Sequence, residues 1–192
     1  MRLSLFFFLH VVALFILLLV HPHAKAEDDE WYVHDFGNYV VAAVPGGVVH
    51  GDKLRFFIRK SDCFKVGMLF SFSTTRDINN INDLQNQDLP IRINNLDKFS
   101  SSARVITVHP LQAMTIVMMQ IKGFHDLDDF VSGIMKLYNY QKEFSITLIK
   151  NESYDPEEHF DILDNYWKLE LLPRNIKKAQ RMCFGPGEII ES

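Results

Sequence analysis

The chain has 192 residues, 47% of them apolar, 12% aromatic and 23% charged, and a formal charge of −4. Without residues 1–26, which hold two basic residues and no acidic one, 18 basic residues remain against 24 acidic ones, and the formal charge becomes −6. This acidic balance argues against nucleic acid as a partner, because domains that bind nucleic acid are normally basic. The apolar content of the remainder is that of a globular domain rather than of a disordered chain.

The amino-terminal segment 1–26 has the three parts of a secretory signal peptide. An early arginine precedes an apolar run over 3–20, and alanines occupy positions 24 and 26. This pattern predicts cleavage after the second alanine, which leaves 27–192 as one secreted, extracellular domain with no membrane-spanning helix. The alternative is an uncleaved anchor, because the apolar run is close in length to the shortest helix that spans a bilayer.

The first part of the mature chain alternates apolar and polar residues, which is typical of strands half-buried in a sheet. After an acidic stretch over 27–30 that we expect to fray, the alternation is strictest over 53–59 and 64–72. A period of two places the apolar residues of the second segment, Phe64 among them, on one buried face.

Residues 74–88 are polar, rich in asparagine and aspartate, and without a period, so we expect a long flexible loop. Asp77 and Asp88 are spaced like the ends of a calcium-binding loop, but Ile81 stands at a ligand position and Asn82 stands where such a loop requires glycine. The sequence therefore predicts a loop that holds no metal.

Two helices are predicted in the second half of the chain. Asp126 precedes apolar residues at helical spacing that end at Tyr138, which indicates an amphipathic helix with an aspartate N-cap. A shorter helix is predicted over 173–182, followed by residues 186–192, which we expect to fray.

The last helix places four basic residues on one side, at spacings i, i+3, i+4 and i+7. These are Arg174, Lys177, Lys178 and Arg181, called the basic stripe below. The stripe is a candidate surface for an extracellular protein, an acidic glycan or an anionic surface. The alternative is a solvated face with no partner.

Secretion affects how the two cysteines and the single Asn-x-Ser/Thr triplet are interpreted. Cys63 and Cys183 are an even pair, so an oxidising compartment favours one disulfide that closes a loop of 120 residues and stabilises the fold by about 4 to 5 kcal/mol. The alternatives are free thiols or pairing between chains.

Asn151 begins the triplet Asn-Glu-Ser, in a predicted surface loop, and is a candidate glycosylation site. The disulfide would bring the basic residues of 53–59 close to the basic stripe.

The order of elements predicts a mainly β fold, an antiparallel β-sandwich or open barrel of about eight strands with two or three short helices. No Gly-x-Ser-x-Gly elbow, phosphate loop or dinucleotide fingerprint occurs in the sequence, and its histidines lack the spacing of metal ligands. We therefore assign no catalytic residue, metal or cofactor.

Three functions remain open from the sequence. The pattern favours a secreted, non-enzymatic interaction protein. A barrel-type carrier of a small apolar ligand is the second, because Trp31, Tyr32 and an aromatic interior suit such a site. A secreted hydrolase assembled from distant residues is the third.

Overall fold

The computed structural model describes residues 31–49, 51–97 and 100–185. Across these residues, nine antiparallel strands form one sheet in the order β1-β2-β3-β4-β7-β6-β5-β8-β9. The predicted mainly β fold class is confirmed. The predicted signal peptide and the two ends expected to fray lie outside the described residues. The strands are β1 (Tyr32–Asp35), β2 (Tyr39–Pro45), β3 (Lys53–Arg59), β4 (Asp62–Thr74), β5 (Asp88–Ile93), β6 (Ser100–Pro110), β7 (Thr115–Asp126), β8 (Phe144–Leu148) and β9 (Asp164–Trp167).

Three α-helices and one 3-10 turn accompany the sheet in the described part of the chain. They are α1 (Ile78–Asn82), α2 (Leu127–Gln141), α3 (Leu172–Phe184) and the turn Pro156–Glu158. The aspartate cap of α2 is as predicted, since Asp126 accepts hydrogen bonds from the N–H groups of Asp128 and Asp129. The helix predicted over 173–182 is α3, which begins at Leu172 with Pro173 in its first turn.

The sheet curls so far that its two ends approach each other. The loop between β2 and β3 reaches β9, the last strand in the order, where Gly47 N–H donates to the Tyr166 carbonyl at 2.8 Å. Among the described residues no strand pair closes the sheet, and this loop contact covers part of the edge that β9 would otherwise expose.

One face of the curled sheet carries the hydrophobic core. The largest fully buried side chains are aromatic: Trp167, Phe56, Phe70, Phe72, Phe144 and Phe160. The helix α3 packs on this face through its own buried side, and α2 adds Leu127, Ile134 and Tyr138 to the same cluster.

The segment 74–88 departs from the expected irregular loop because it contains α1. Asp77 caps this helix by accepting from Asn79 N–H at 2.9 Å. Ile81 and Leu84, three residues apart, are buried in the core cluster. Two apolar residues anchor a single helical turn but are too few to produce a visible period.

Phe64 is the clearest departure from the predicted strand pattern. Cys63 and Val66 are both buried although they are three positions apart, so the alternation slips by one residue at the start of β4. The register of β4 against β3 also shifts between Asp62 and Val66, so the residues between them, Phe64 included, have no partner on β3. A bulge of this kind turns the intervening side chain outward, and Phe64 is accordingly 59% exposed.

Candidate anionic-partner surface

The basic stripe lies on the outer side of α3. Its four side chains are all exposed. The opposite side of the helix is buried against the sheet through Leu172, Asn175, Ile176, Ala179 and Cys183. Because a helix turns about 100° per residue, the positions that bury the inner side fix the stripe on the outer side.

Three members of the stripe carry positive charge that the described part of the fold does not neutralise. Lys177, Lys178 and Arg181 have no ion-pair partner among the residues that the structure describes. The acid nearest to the start of α3 in the sequence is Glu170. Burial, and then the Glu170 carboxylate that the Tyr138 hydroxyl faces, raise the pKa of that phenol. The outer side of α3 therefore presents a positive surface on an acidic protein.

A cysteine pair holds the end of α3 to the start of β4. Cys63 and Cys183 form a buried pair at disulfide distance, with their sulfur atoms 2.14 Å and their Cα atoms 5.8 Å apart. This geometry agrees with the predicted pairing. One turn earlier on α3, Gln180 donates its side-chain amide to the Cys63 carbonyl at 3.2 Å. The helix that carries the stripe is thus fixed along its buried side and at its carboxyl end.

An aromatic pair, of which Phe64 is exposed and Phe184 partly buried, adjoins this end of the stripe. The ring of Phe64 meets the ring of Phe184 edge to face, with their centroids 5.4 Å apart. Phe184 follows Arg181 by three residues on α3, so the two are surface neighbours. Sequence reasoning missed this pair, because the strand pattern assigned Phe64 to the core.

The basic residues of β3 do not extend the stripe, contrary to the expectation from the sequence. Leu54, Phe56 and Ile58 face the core on which α3 packs, so the alternate residues of β3 face the other side of the sheet. There the Lys53 ammonium lies 5.1 Å from the centre of the Tyr32 ring, and the Arg59 guanidinium lies 4.6 Å from that of Phe124.

Asn151 lies exposed in the loop between β8 and the 3-10 turn. Its side-chain oxygen accepts hydrogen bonds from Ser153 N–H at 2.9 Å and from the Ser153 hydroxyl at 3.2 Å. An exposed position in a loop is accessible to a glycosyltransferase, and glycosylation stays a prediction.

Sequence reasoning missed a buried polar cluster where the loop before β3 meets β9. Asp52, Ser73 and Asn165 are all buried there. Ser73 donates its hydroxyl to Asp52 Oδ1 at 2.5 Å, and Asn165 donates its amide to Asp52 Oδ2 at 3.3 Å. Burial raises the pKa of Asp52 to about 6. Because the carboxylate is fully buried and bonded at both oxygens, the cluster suits a structural role rather than substrate contact.

Surface clefts away from α3 offer alternative sites. One, of about 440 Å³, lies beside α2, where His125 stacks on Phe130 with ring centroids 5.1 Å apart. The other, of about 370 Å³, is lined by Arg92 and by Lys150, which pairs with Asp155.

No group of three or more His, Cys, Asp or Glu side chains able to hold a metal occurs among the described residues. No helix in the same part of the chain is long and apolar enough to cross a membrane.

The fold and the stripe define a mainly β protein that carries a positive helix on an acidic body. No protein-family model matches the chain, and no curated protein or solved structure matches it either.

Proposed function

We propose that this chain is a secreted, non-enzymatic interaction protein whose helix α3 binds an acidic extracellular partner. The observation that carries the proposal is the basic stripe, four exposed cations on one side of a helix in a chain whose predicted mature form has a charge of −6. Like charges held side by side repel one another, and a bound polyanion relieves that repulsion.

The dimensions of the stripe favour a partner with several negative charges. From Arg174 to Arg181 the helix rises by roughly 10 Å, which is long enough to face two or more anionic groups. A single exposed ion pair contributes only about 0.2 to 1 kcal/mol, so useful affinity needs several contacts made together. The binding should weaken as salt is added.

Two further features support the secreted setting. Segment 1–26 has the pattern of a signal peptide. The paired Cys63 and Cys183 fit a compartment in which disulfides persist. The interior supports an interaction protein over a carrier, because the face that would enclose a ligand is filled by aromatic side chains such as Phe56, Phe70 and Trp167.

The test is retention on an immobilised sulfated glycan, heparin, with elution by a salt gradient. The full chain, as exported by the expressing cell, should be retained, and Lys177→Glu with Lys178→Glu should elute at clearly lower salt. The matched control is Lys136→Glu with Lys142→Glu, which makes the same charge change at exposed lysines on and just after α2. Equal elution of the two double variants, or no retention of the parent chain, would contradict the proposal.

A further inference from the structure

Three chain segments meet at the end of the sheet formed by the strand termini, where the turns from β1 to β2 and from β3 to β4 lie. The turn between β1 and β2 contacts the turn between β3 and β4, where Lys60 N–H donates to the Asn38 carbonyl at 3.0 Å. The carboxyl end of α3 joins them, since Cys183 Sγ lies 3.5 Å from the Arg59 carbonyl oxygen. This end of the sheet is called the aromatic end below.

The aromatic end carries large apolar side chains that point into solvent. Phe36, in the β1 to β2 turn, is 60% exposed, and Phe64, near the start of β4, is 59% exposed. Phe184 packs against Phe64 and extends the apolar area toward α3. Exposing two phenylalanine rings to this degree leaves apolar surface in water, which a binding event can remove.

Phe64, at the aromatic end, and the basic stripe form one continuous surface. Arg181 is the last member of the stripe, Phe184 lies one turn further along α3, and Phe64 contacts Phe184. The paired cysteines beside these rings fix the angle between helix and strand. A partner that touches the stripe is therefore able to contact the aromatic end at the same time.

Two of the three acidic residues near this end are paired with lysines. The Asp35 carboxylate is paired with the Lys60 ammonium at 2.6 Å, and Asp126 lies 3.9 Å from the Lys65 ammonium. Asp62 accepts a hydrogen bond from Phe64 N–H at 3.2 Å.

We infer that the acidic partner of α3 is the surface of an anionic lipid bilayer, with the basic stripe on the headgroups and Phe36 and Phe64 inserted between them. This inference rests on the proposed function and names its partner. Aromatic residues prefer the boundary between headgroups and acyl chains, and lysine and arginine are drawn to anionic headgroups. A glycan has no apolar layer to receive the phenylalanines. Phe36 contacts the His34 ring and Phe64 the Phe184 ring, and exposed rings on separate segments suit a deformable layer better than one matched pocket of a protein.

The first experiment compares vesicles of phosphatidylcholine alone with vesicles that also contain phosphatidylglycerol, by co-sedimentation of the full chain. Binding is expected only to the anionic vesicles. Lys177→Glu with Lys178→Glu should abolish it, and Lys136→Glu with Lys142→Glu should not. Phe64→Ser should weaken vesicle binding about tenfold while leaving heparin retention unchanged, because only the bilayer buries that ring. Phe36→Ser is the second variant, at a separate turn, if Phe64→Ser fails to fold.

A fluorescence readout reports insertion directly. The two native tryptophans of the mature chain, Trp31 and Trp167, are buried. In Phe64→Trp, a shift of emission to shorter wavelength on adding anionic vesicles therefore reports the environment of position 64. A shift with anionic vesicles and none with neutral ones is the expected result.

The outcomes separate this inference from the proposed function. Retention on heparin without vesicle binding overturns the inference of a bilayer and leaves the proposal of an acidic partner intact. If the chain binds neither heparin nor vesicles, the inference and the proposed function are both wrong. Vesicle binding that does not respond to Phe64→Ser and Phe36→Ser, or equal binding to neutral vesicles, also overturns the inference.

Discussion

Asn165 donates its side-chain amide to the carboxylate of Asp52 across 3.3 Å, although 113 positions separate the two residues. Asn165 also accepts a hydrogen bond from Val48 N–H at 3.0 Å. The loop before β3 is thereby bonded to β9, at the place where no strand pair closes the sheet. The shape of the sheet depends on these side chains as well as on its strand ladders.

The first prediction concerns pH. Burial raises the pKa of Asp52 from 3.8 to about 6, so the folded state binds this proton more tightly than the unfolded state does. The stability that Asp52 contributes is fully present below about pH 4 and is lost as the pH rises through about 6. The free energy of unfolding of the parent chain, relative to Asp52→Asn, should fall by on the order of 3 kcal/mol over this interval.

Denaturant unfolding of both chains at several pH values measures this difference. Subtracting the two curves removes the contributions of other carboxyl groups, such as Asp161, whose pKa is lowered by hydrogen bonds from Thr75. Asp164→Asn, at an exposed position, is the control and should run parallel to the parent chain. If Asp52→Asn also runs parallel to it, the carboxyl of Asp52 titrates normally and the prediction is wrong.

The second prediction concerns Asn165. Asn165→Ala removes the partners of the Val48 N–H, which is partly buried, and of Asp52 Oδ2, which is buried. We expect a loss of about 2 to 4 kcal/mol in the free energy of unfolding, because each buried polar group left without a partner costs about 1 to 3 kcal/mol. Asn139→Ala, at an exposed position on α2, should change stability by no more than about 0.5 kcal/mol.

A double-mutant cycle tests the cause. If Asn165 acts through Asp52, the effects of Asn165→Ala and Asp52→Asn should not add, and an interaction energy above about 0.5 kcal/mol should remain. Additive effects would show that Asn165 stabilises the fold by other contacts.

Local patterns predicted the elements of this protein well. The alternation over 53–59 and 64–72 corresponds to β3 and β4, and the Asp126 cap stands where α2 begins. Both signals depend on residues within a few positions of one another, which is the range over which sequence periodicity carries information.

The relationships between distant segments were not predictable in the same way. A bulge in β4 opposite β3 exposes Phe64, and a bulge leaves no mark in the alternation of residue types. In the sequence Asn165 is an ordinary polar residue of a strand. Its hydrogen bond with the loop before β3 joins positions far apart in the chain, which no local pattern records. The basic stripe was predictable because helical spacing is local, but its continuity with Phe64 was not.

The third prediction concerns the paired cysteines. Replacing Cys63 and Cys183 with serine releases a loop of 120 residues, and the chain-entropy model gives a loss of about 4 to 5 kcal/mol in the free energy of unfolding. Unfolding with and without a reductant measures it. Reductant should destabilise the parent chain and leave the double serine variant unchanged. A parent chain that is equally stable in reductant would mean that the pair contributes little.

The fourth prediction compares two glycines. A Cβ atom added at Gly67 would lie 2.3 Å from Phe57 Cζ. The Phe57 ring is held between Tyr39 and Phe124, with centroid distances of 6.0 and 5.1 Å, so it has little room to move. Gly67→Ala should therefore lower the free energy of unfolding by about 1 to 3 kcal/mol through overpacking.

Gly133 provides the matched control for Gly67, because a Cβ there meets no atom within 4 Å. It lies inside α2, where alanine is the better helix former, and Gly133→Ala should raise the free energy of unfolding by about 0.5 to 1 kcal/mol. Phe57→Leu combined with Gly67→Ala should recover part of the loss, because leucine has no atom at the Cζ position. If the combination is no more stable than Gly67→Ala alone, the cost at Gly67 comes from the backbone of β4 rather than from the Phe57 ring.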